Sequence, residues 1–486
     1  MTESLKNKAI RGVGWSAADA FLGQGITFII GLVLARLLSP AEYGLIGICL
    51  IFTTVLNGIV DSGFSNSLIR KKDVTNDDYN TMFITNMLIS VVLFVILFGL
   101  SPFISIFFNR SELTWLIRAM GLLLIFQALS ITQVTSLIKK VDFKTKTKAS
   151  FYSAIISGII GIALAYCDFG VWALVVQLLS RQLLNTICLW ALNKWTPSWR
   201  FSIDSFKYMW SFGWKLMVSG LLYNIWNQLN QVVVGKFYSP ATLGQFTKAN
   251  EYANLCSSNI TIIIQRVSYP ILAEIQDDQA RLIAAYRRVI KTTMLVTCIC
   301  MIPMAAISEP LVYCLIGSQW HDAATYLPLI CINMSLYPLH AINLNMLQIQ
   351  GRSDIFLYLE IVKKIFSIFP LLVGIFFDIY SMLVISVIVG ILSFFLNSWY
   401  TGKKLGYSSF DQIKDIIPDY LVAILVAFSV FFLKYLPFSY WIILPLQFFV
   451  AIFCGWIINE RFRLSEYEEV KGILKSFSKK RNNELF

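Results

Sequence analysis

The sequence predicts an all-α integral membrane protein of about 14 transmembrane helices, arranged as two parallel-repeat six-helix lobes plus a C-terminal helix pair. Three observations carry this prediction. Hydrophobic residues make up 57% of the 486 positions and charged ones 14%, with a mean hydropathy of +0.67, which leaves too little polar surface to cover a soluble core. Apolar runs of about 20 residues, each long enough to cross a hydrocarbon layer as helix, recur along nearly the whole chain. Hydrogen-bond satisfaction in lipid then favours a helical bundle. Finally, one pattern occurs twice. Gly14-Trp15 leads to Ala35-Arg36 and then Ser39-Pro40-Ala41-Glu42-Tyr43-Gly44, whereas Gly213-Trp214 leads to Gly235-Lys236 and then Ser239-Pro240-Ala241-Thr242-Leu243-Gly244. Six crossings per copy return the chain to its starting side, so both halves insert with the same orientation, an arrangement typical of transporters.

The first helix is placed at 12–38. Lys6, Lys8 and Arg11 precede it as in a secretory signal, but the run is too long and no Ala-x-Ala site follows, so it reads as a retained helix with a cytoplasmic N-terminus. Helices at 43–68, 79–106, 113–138, 149–166 and 170–193 complete an N-terminal lobe, 1–193. The segment 194–206, with Trp195, Pro197 and Trp199, reads as a cytoplasmic linker lying at the membrane interface. Helices at 207–236, 243–268, 289–316, 324–350, 355–377 and 380–401 form the second lobe, 207–401. A charged loop carrying Lys403, Lys404, Asp411, Lys414 and Asp415 leads into an additional hairpin, 402–459, with helices at 416–436 and 440–459. The tail, 460–486, spaces Leu464, Tyr467, Val470 and Leu474 as a short cytoplasmic surface helix would. Outer loops this short hold no folded domain.

A formal charge of +12 raises the question of nucleic acid. Of the 40 Lys and Arg residues, however, the expected outer loops hold only Arg36, Arg110, Lys236 and Lys434. That asymmetry places both termini on the cytoplasmic side of the membrane. Lys139, Lys140, Lys144, Lys146 and Lys148 lie between two spans and read as anchors on anionic lipid, which excludes nucleic acid as a partner. Nine cysteines fall within or beside apolar runs, without a Cys-x-x-Cys, and read as free, buried thiols.

Seven cations belong to neither loop set: Arg118, Arg181, Lys215, Lys248, Arg266, Lys363 and Lys364. A cation at the centre of a membrane helix costs about 2.5 to 3.5 kcal/mol, so a group of them implies water or anions nearby. Arg181 lies about eleven residues, or roughly 16 Å, from either end of its helix, too deep to snorkel. Arg118 and Arg266 sit within about a turn of a face, where snorkelling suffices. Lys215, Lys363 and Lys364 lie about two turns in, where cavity and snorkel readings stand side by side. The cavity reading makes Arg181, Lys215, Lys363 and Lys364 a chamber for an anion such as phosphate or pyrophosphate.

Lys248 and Glu251, three apart, either pair with each other or leave Glu251 to titrate with a coupling proton or sodium ion. Asp61, Asp19 and Glu360 are further carboxylates below the surface, each within reach of cytoplasmic water. Asn224, Asn227, Gln228 and Gln231 share one face of the seventh helix, as do Thr247, Glu251, Asn254 and Ser258 on the eighth. Such amide-rich stripes suit sugar hydroxyls, or else bond between helices. There is no Gly-x-x-x-x-Gly-Lys-Ser/Thr loop, and His321 and His340 lack a second ligand at metal spacing, so neither a nucleotide motor, a metal nor a cofactor is expected.

The span Leu34 to Gly44, together with Val234-Gly235-Lys236-Phe237-Tyr238-Ser239-Pro240, Leu243-Gly244, Arg266-Val267-Ser268-Tyr269-Pro270 and Gln276-Asp277-Asp278, resembles the Wzx-type polysaccharide (O-antigen) flippases of the multidrug/oligosaccharidyl-lipid/polysaccharide exporter superfamily. The resemblance covers most of the chain and implies translocation of a polyprenyl-diphosphate-linked oligosaccharide between leaflets by alternating access. It also implies coupling to an ion or the membrane potential, and association with polysaccharide polymerase and assembly proteins. The matched Arg36, Pro40, Gly44, Pro240 and Gly244 stand at helix ends, so they mark fold better than substrate. A drug or metabolite exporter on the same fold is the nearer alternative, against which the cavity cations argue. A membrane glycosyltransferase or polymerase is the other, and would need acidic groups in a sizeable outer loop.

Overall fold

The computed structural model describes residues 23–462, 467–468 and 471–472. Gly14, Trp15 and Asp19, the start of the first helix and most of the tail lie outside the described residues. The chain forms two compact units, 1–244 and 245–486, and the described residues are overwhelmingly helical.

In unit 1, α1 (Gly23–Leu37) is followed by α2 (Pro40–Asp61), whose start is fixed by a capping box between Ser39 and Glu42, with Pro40 in its first turn. The expected second helix is broken. Ser62 and Gly63 adopt left-handed conformations with φ of 50° and 69°, and a short α3 (Phe64–Arg70) restarts after them. The break lets Gly63 and Gly213 touch through their backbones, since a Cβ on Gly63 would lie 2.6 Å from the Gly213 carbonyl oxygen. Lys139 donates to the carbonyls of Leu68, Ile69 and Lys71 at the end of α3. It therefore caps a helix instead of reaching for lipid, a correction to the reading of that lysine.

α4 (Asn76–Phe108) and α5 (Leu113–Lys139) pack as an antiparallel pair, as do α6 (Phe143–Tyr166) and α7 (Val171–Leu192). Small residues permit close approach: Gly161 lies against Gln177, and Gly158 against Ile30 of α1. The segment after α7 is tied into the unit by polar bonds. Asn80 exchanges two hydrogen bonds with Ser198 at 2.6 and 3.0 Å, the Ser202 N–H donates to Thr81, and Gln133 links Asn193 to the Trp195 carbonyl. Phe83 packs edge-on against Trp190, Trp195 and Trp199. α8 (Ile203–Phe237) packs on α2, α3 and α4, and α9 (Pro240–Glu274) carries the chain into unit 2.

In unit 2, α10 (Gln279–Ala306) places Leu282, Tyr286, Ile290, Met294 and Cys298 on one buried stripe at four-residue spacing. Against it pack α11 (Ser308–Ile316), α12 (His321–Ser335) and α13 (Tyr337–Ile349), while α14 (Ser353–Phe376) and α15 (Ile379–Leu405) pack on each other and on α13. The expected helices 289–316 and 324–350 are each divided, at Ile307 and at Leu336, where Pro338 opens the next helix. Of the additional hairpin, α16 (Ser409–Phe431) is built into this core, and α17 (Tyr440–Phe462) packs on α16 and α11. Asp415 of α16 binds Arg287 of α10 through two bonds, one of them 2.6 Å, and accepts from Tyr407 at 2.7 Å; Gln412 bonds Asn343; Tyr440 donates to Glu309 at 2.9 Å.

Among the described residues, ten helical stretches are long and apolar enough to cross a membrane. The helices α8 and α9 are at least as long but more polar, α14 is as apolar as the spans but carries Asp354, Glu360, Lys363 and Lys364, and α1 is described over 15 residues. These four stand where the seventh, eighth, eleventh and first spans are expected, and α8, α9 and α14 carry most of the candidate site residues.

Candidate functional site

Arg181 stands ten residues after the start of α7 and eleven before its end. At about 100° per residue, it points roughly 160° away from Leu183 and 180° away from Trp172, both exposed on the outer side of the helix. Its neighbours on the helix surface, Leu174 and Gln177, are buried. Arg181 is half-buried, and among the described residues nothing ion-pairs or hydrogen-bonds with it. The adjacent Gln182 faces α5 instead, donating to Gln127 at 2.8 Å and to Ser130 at 3.1 Å, while Thr186 donates to the Phe126 carbonyl at 3.0 Å. This polar seam holds α7 against α5 and fixes the direction in which Arg181 projects.

The other cations divide into used and unused charges. Arg118 donates to Ser101 at 3.0 Å and lies over the rings of Phe98 and Trp115, at 4.3 and 4.9 Å from their centroids. Lys215 of α8 is exposed and carries no partner among the described residues. In unit 2, Lys363 pairs with Glu360 one turn earlier, and Lys364 is half-buried beside it. Lys248 is 4% exposed and pairs with Glu251 at 2.8 Å, so the first of the two readings of that pair describes the geometry. Asp61 has no cation beside it among the described residues. It accepts from the Ser65 hydroxyl at 2.5 Å, and Thr135 donates to Ser65 in turn at 2.9 Å.

The amide stripe of α8 is partly committed to packing. Asn224 lies against α2, where a Cβ on Gly58 would come within 3.0 Å of its side-chain nitrogen. Asn227 is exposed, Gln231 is half-buried, and Gln228 keeps a buried Oε1 without a hydrogen bond. Asn254 of α9 is exposed, and its carbonyl accepts from Ser258.

Three polar groups escape a reading by charge and depth alone. Asn86 is fully buried in α4, with neither side-chain atom hydrogen-bonded among the described residues, and Thr132 of α5 is likewise buried without a partner among them. Asp419 is 1% exposed in α16. The signal for Asn86 is a lone amide in the apolar run from Met82 to Leu88. Asp419 is hidden in the sequence by its position near a helix start. Of the cysteines, Cys167 and Cys300 are exposed and the other seven buried or half-buried, which corrects the expectation of burial for those two.

A family model described as polysaccharide biosynthesis protein matches residues 33–325. The chain is 25% identical over 337 residues to the succinoglycan biosynthesis transport protein ExoT of Rhizobium meliloti (strain 1021), covering 69% of this chain and 68% of that protein. It is 24% identical over 441 residues to the teichuronic acid biosynthesis protein TuaB of Bacillus subtilis (strain 168), covering 88% and 90%. It is 23% identical to the lipopolysaccharide biosynthesis protein WzxC of Escherichia coli (strain K12), covering 68% and 67%. Among solved structures, the lipid II flippase MurJ in an inward closed conformation superposes with a TM-score of 0.75 at 14% identity, covering 93% of this chain and 98% of that one. An inward-facing multidrug resistance MATE family transporter of the MOP superfamily gives 0.58 at 14%, covering 80% and 99%. At these identities, the shared property is the fold.

Proposed function

The chain belongs to the polysaccharide biosynthesis protein family, and on that premise we propose that it flips a polyprenyl-diphosphate-linked oligosaccharide from the inner to the outer leaflet of the bacterial inner membrane, with both termini cytoplasmic. The observation that carries the reading is Arg181, a mid-depth guanidinium turned away from the apolar surface of α7 and left without a protein counter-charge among the described residues. A membrane protein keeps such a group at a cost of about 2.5 to 3.5 kcal/mol unless an anion or water answers it. A diphosphate is the fitting anion, because guanidinium binds phosphate oxygens in bidentate fashion.

Within unit 1, Lys215 supplies further positive charge for the headgroup, and the amides Asn227, Gln228 and Gln231 suit sugar hydroxyls; in unit 2 the charge of Lys363 is already engaged by Glu360. Asn224, held against Gly58, serves more to seat α8. Alternating access needs a source of differential affinity, and ion or potential coupling supplies it. Of the two carboxylates weighed for that role, Asp61 suits it better than Glu251, whose charge is engaged by Lys248. Names among the relatives support the cargo class: ExoT is a succinoglycan biosynthesis transport protein and WzxC a lipopolysaccharide biosynthesis protein.

The test is a leaflet-translocation assay with purified protein in liposomes containing fluorescent polyprenyl-diphosphate-linked glycan. The expected result is accelerated exposure of the glycan, dependent on an imposed ion gradient or potential. A rate equal to that of protein-free liposomes under every gradient overturns the proposal.

A further inference from the structure

The duplicated motif has a physical role that neither copy reveals alone. A Cβ placed on Gly44 would stand 1.7 Å from the Pro240 carbonyl oxygen, and one on Gly244 would stand 1.9 Å from the Pro40 carbonyl oxygen and 3.1 Å from the Gly44 nitrogen. The contact is reciprocal: glycine of the first copy on proline of the second, and glycine of the second on proline of the first. No side chain fits at either position, because the obstructing atoms are backbone. Both helix starts are held in place as they cross. Ser39 and Glu42 form the capping box of α2, and Ser239 accepts from the Thr242 N–H at 3.1 Å in the second copy. Gly235 adds a third close approach, to Phe108 and Ile48, and Lys236 donates to the Phe107 carbonyl.

We propose that the two Ser-Pro-Ala motifs form a reciprocal backbone latch, closing the non-cytoplasmic end of the helix pair α2 and α8–α9, and that this latch parts once in each transport cycle. The latch rests on the transport reading given above. Its contacts are of the Cα–H···O kind, specific in shape and individually weak, which suits a closure that must open repeatedly. Beside it lies a space of about 440 Å³ lined by Ala41, Leu45, Asn109, Arg110, Pro240 and Ala241, which leaves the crossing without packing on one side. Proline in the first helical turn removes an amide that has no partner there in any case and sets the entry angle, while glycine one turn later removes the side chain that would hold the crossing apart. This accounts for the spacing of four residues between proline and glycine in both copies.

The experiment uses the full chain with its nine cysteines replaced by serine. Ile48, fully buried against Gly235 at the crossing, is replaced as Ile48→Cys and probed with a membrane-impermeant maleimide in right-side-out and inverted vesicles. The introduced thiol is expected to be protected, and to label from the outer side about tenfold or more faster once Gly44→Ala or Gly244→Ala props the crossing open. Gly99→Ala, whose Cβ would meet nothing within 4 Å, is the control. Unchanged protection in both glycine variants overturns the latch, and this readout requires no cargo, so it is independent of whether the glycan is flipped. Should the alanine variants fail to accumulate, Ala41→Cys/Ala241→Cys joined by a bismaleimide in the otherwise intact protein decides the matter. Translocation is expected to stop on cross-linking, and cross-linked protein that still translocates at the uncross-linked rate overturns the proposal.

Discussion

Replacing Arg181 by leucine is expected to stabilise the protein while disabling it. The guanidinium sits ten and eleven residues from the ends of α7, about 15 Å or more from either surface at 1.5 Å per residue. Among the described residues no partner ion-pairs or hydrogen-bonds with it. An isolated cation at that depth costs about 2.5 to 3.5 kcal/mol on insertion scales, and half-burial beside polar neighbours reduces the penalty. Arg181→Leu is therefore expected to raise stability by about 1 to 3 kcal/mol, read as a rise of a few degrees in the thermal unfolding midpoint of purified protein in detergent. Losing one charge-assisted bond to phosphate removes about 1.5 to 3 kcal/mol of binding, roughly 10- to 150-fold in glycan affinity or translocation. Arg181→Lys keeps the charge without the fork and should fall between. The reasoning is refuted if Arg181→Leu lowers the midpoint, as breakage of a hidden ion pair would, or if translocation stays within about twofold of the parent.

Asp415→Ala removes both bonds to Arg287 and the acceptor for Tyr407. Because Arg287 is 52% exposed, screening trims the loss to about 2 kcal/mol, measurable as a lower unfolding midpoint, with Asp415→Asn costing less. Gly158→Ala drives a Cβ to 2.2 Å from the Ile30 Cδ1 and should cost about 1 to 2 kcal/mol. Adding Ile30→Ala should recover part of that loss in a double-mutant cycle, whereas additive losses would place the two residues apart. Asp61→Asn should uncouple translocation from an imposed ion gradient while Glu251→Gln leaves the coupling intact, and the reverse pattern would move the ion site to α9.

Composition and periodicity determined that this chain crosses a membrane repeatedly as helices, because lipid forbids unpaired backbone and 57% apolar content cannot be hidden otherwise. The repeat of Ser39 to Gly44 at Ser239 to Gly244 was equally legible, since capping and turn chemistry is local and written in adjacent residues. Depth along a helix was legible too, because counting residues along the apolar run that ends near Asn193 is enough to put Arg181 at its middle. Direction and partnership were not. Pairing along one helix was within reach of the sequence, as Lys248 and Glu251 show and Lys363 and Glu360 repeat at the same spacing. That no neighbouring helix answers Arg181 among the described residues depends on which helix lies opposite and which atom it presents, so only tertiary structure could show it. The same limit hid the break at Ser62 and Gly63, where a left-handed pair serves a contact with a glycine 150 residues later. It also turned Lys139 from a lipid anchor into the cap of α3. Local chemistry is encoded along the chain, whereas the balance of buried charge is set by packing between helices distant in sequence, and the candidate site is built from that balance.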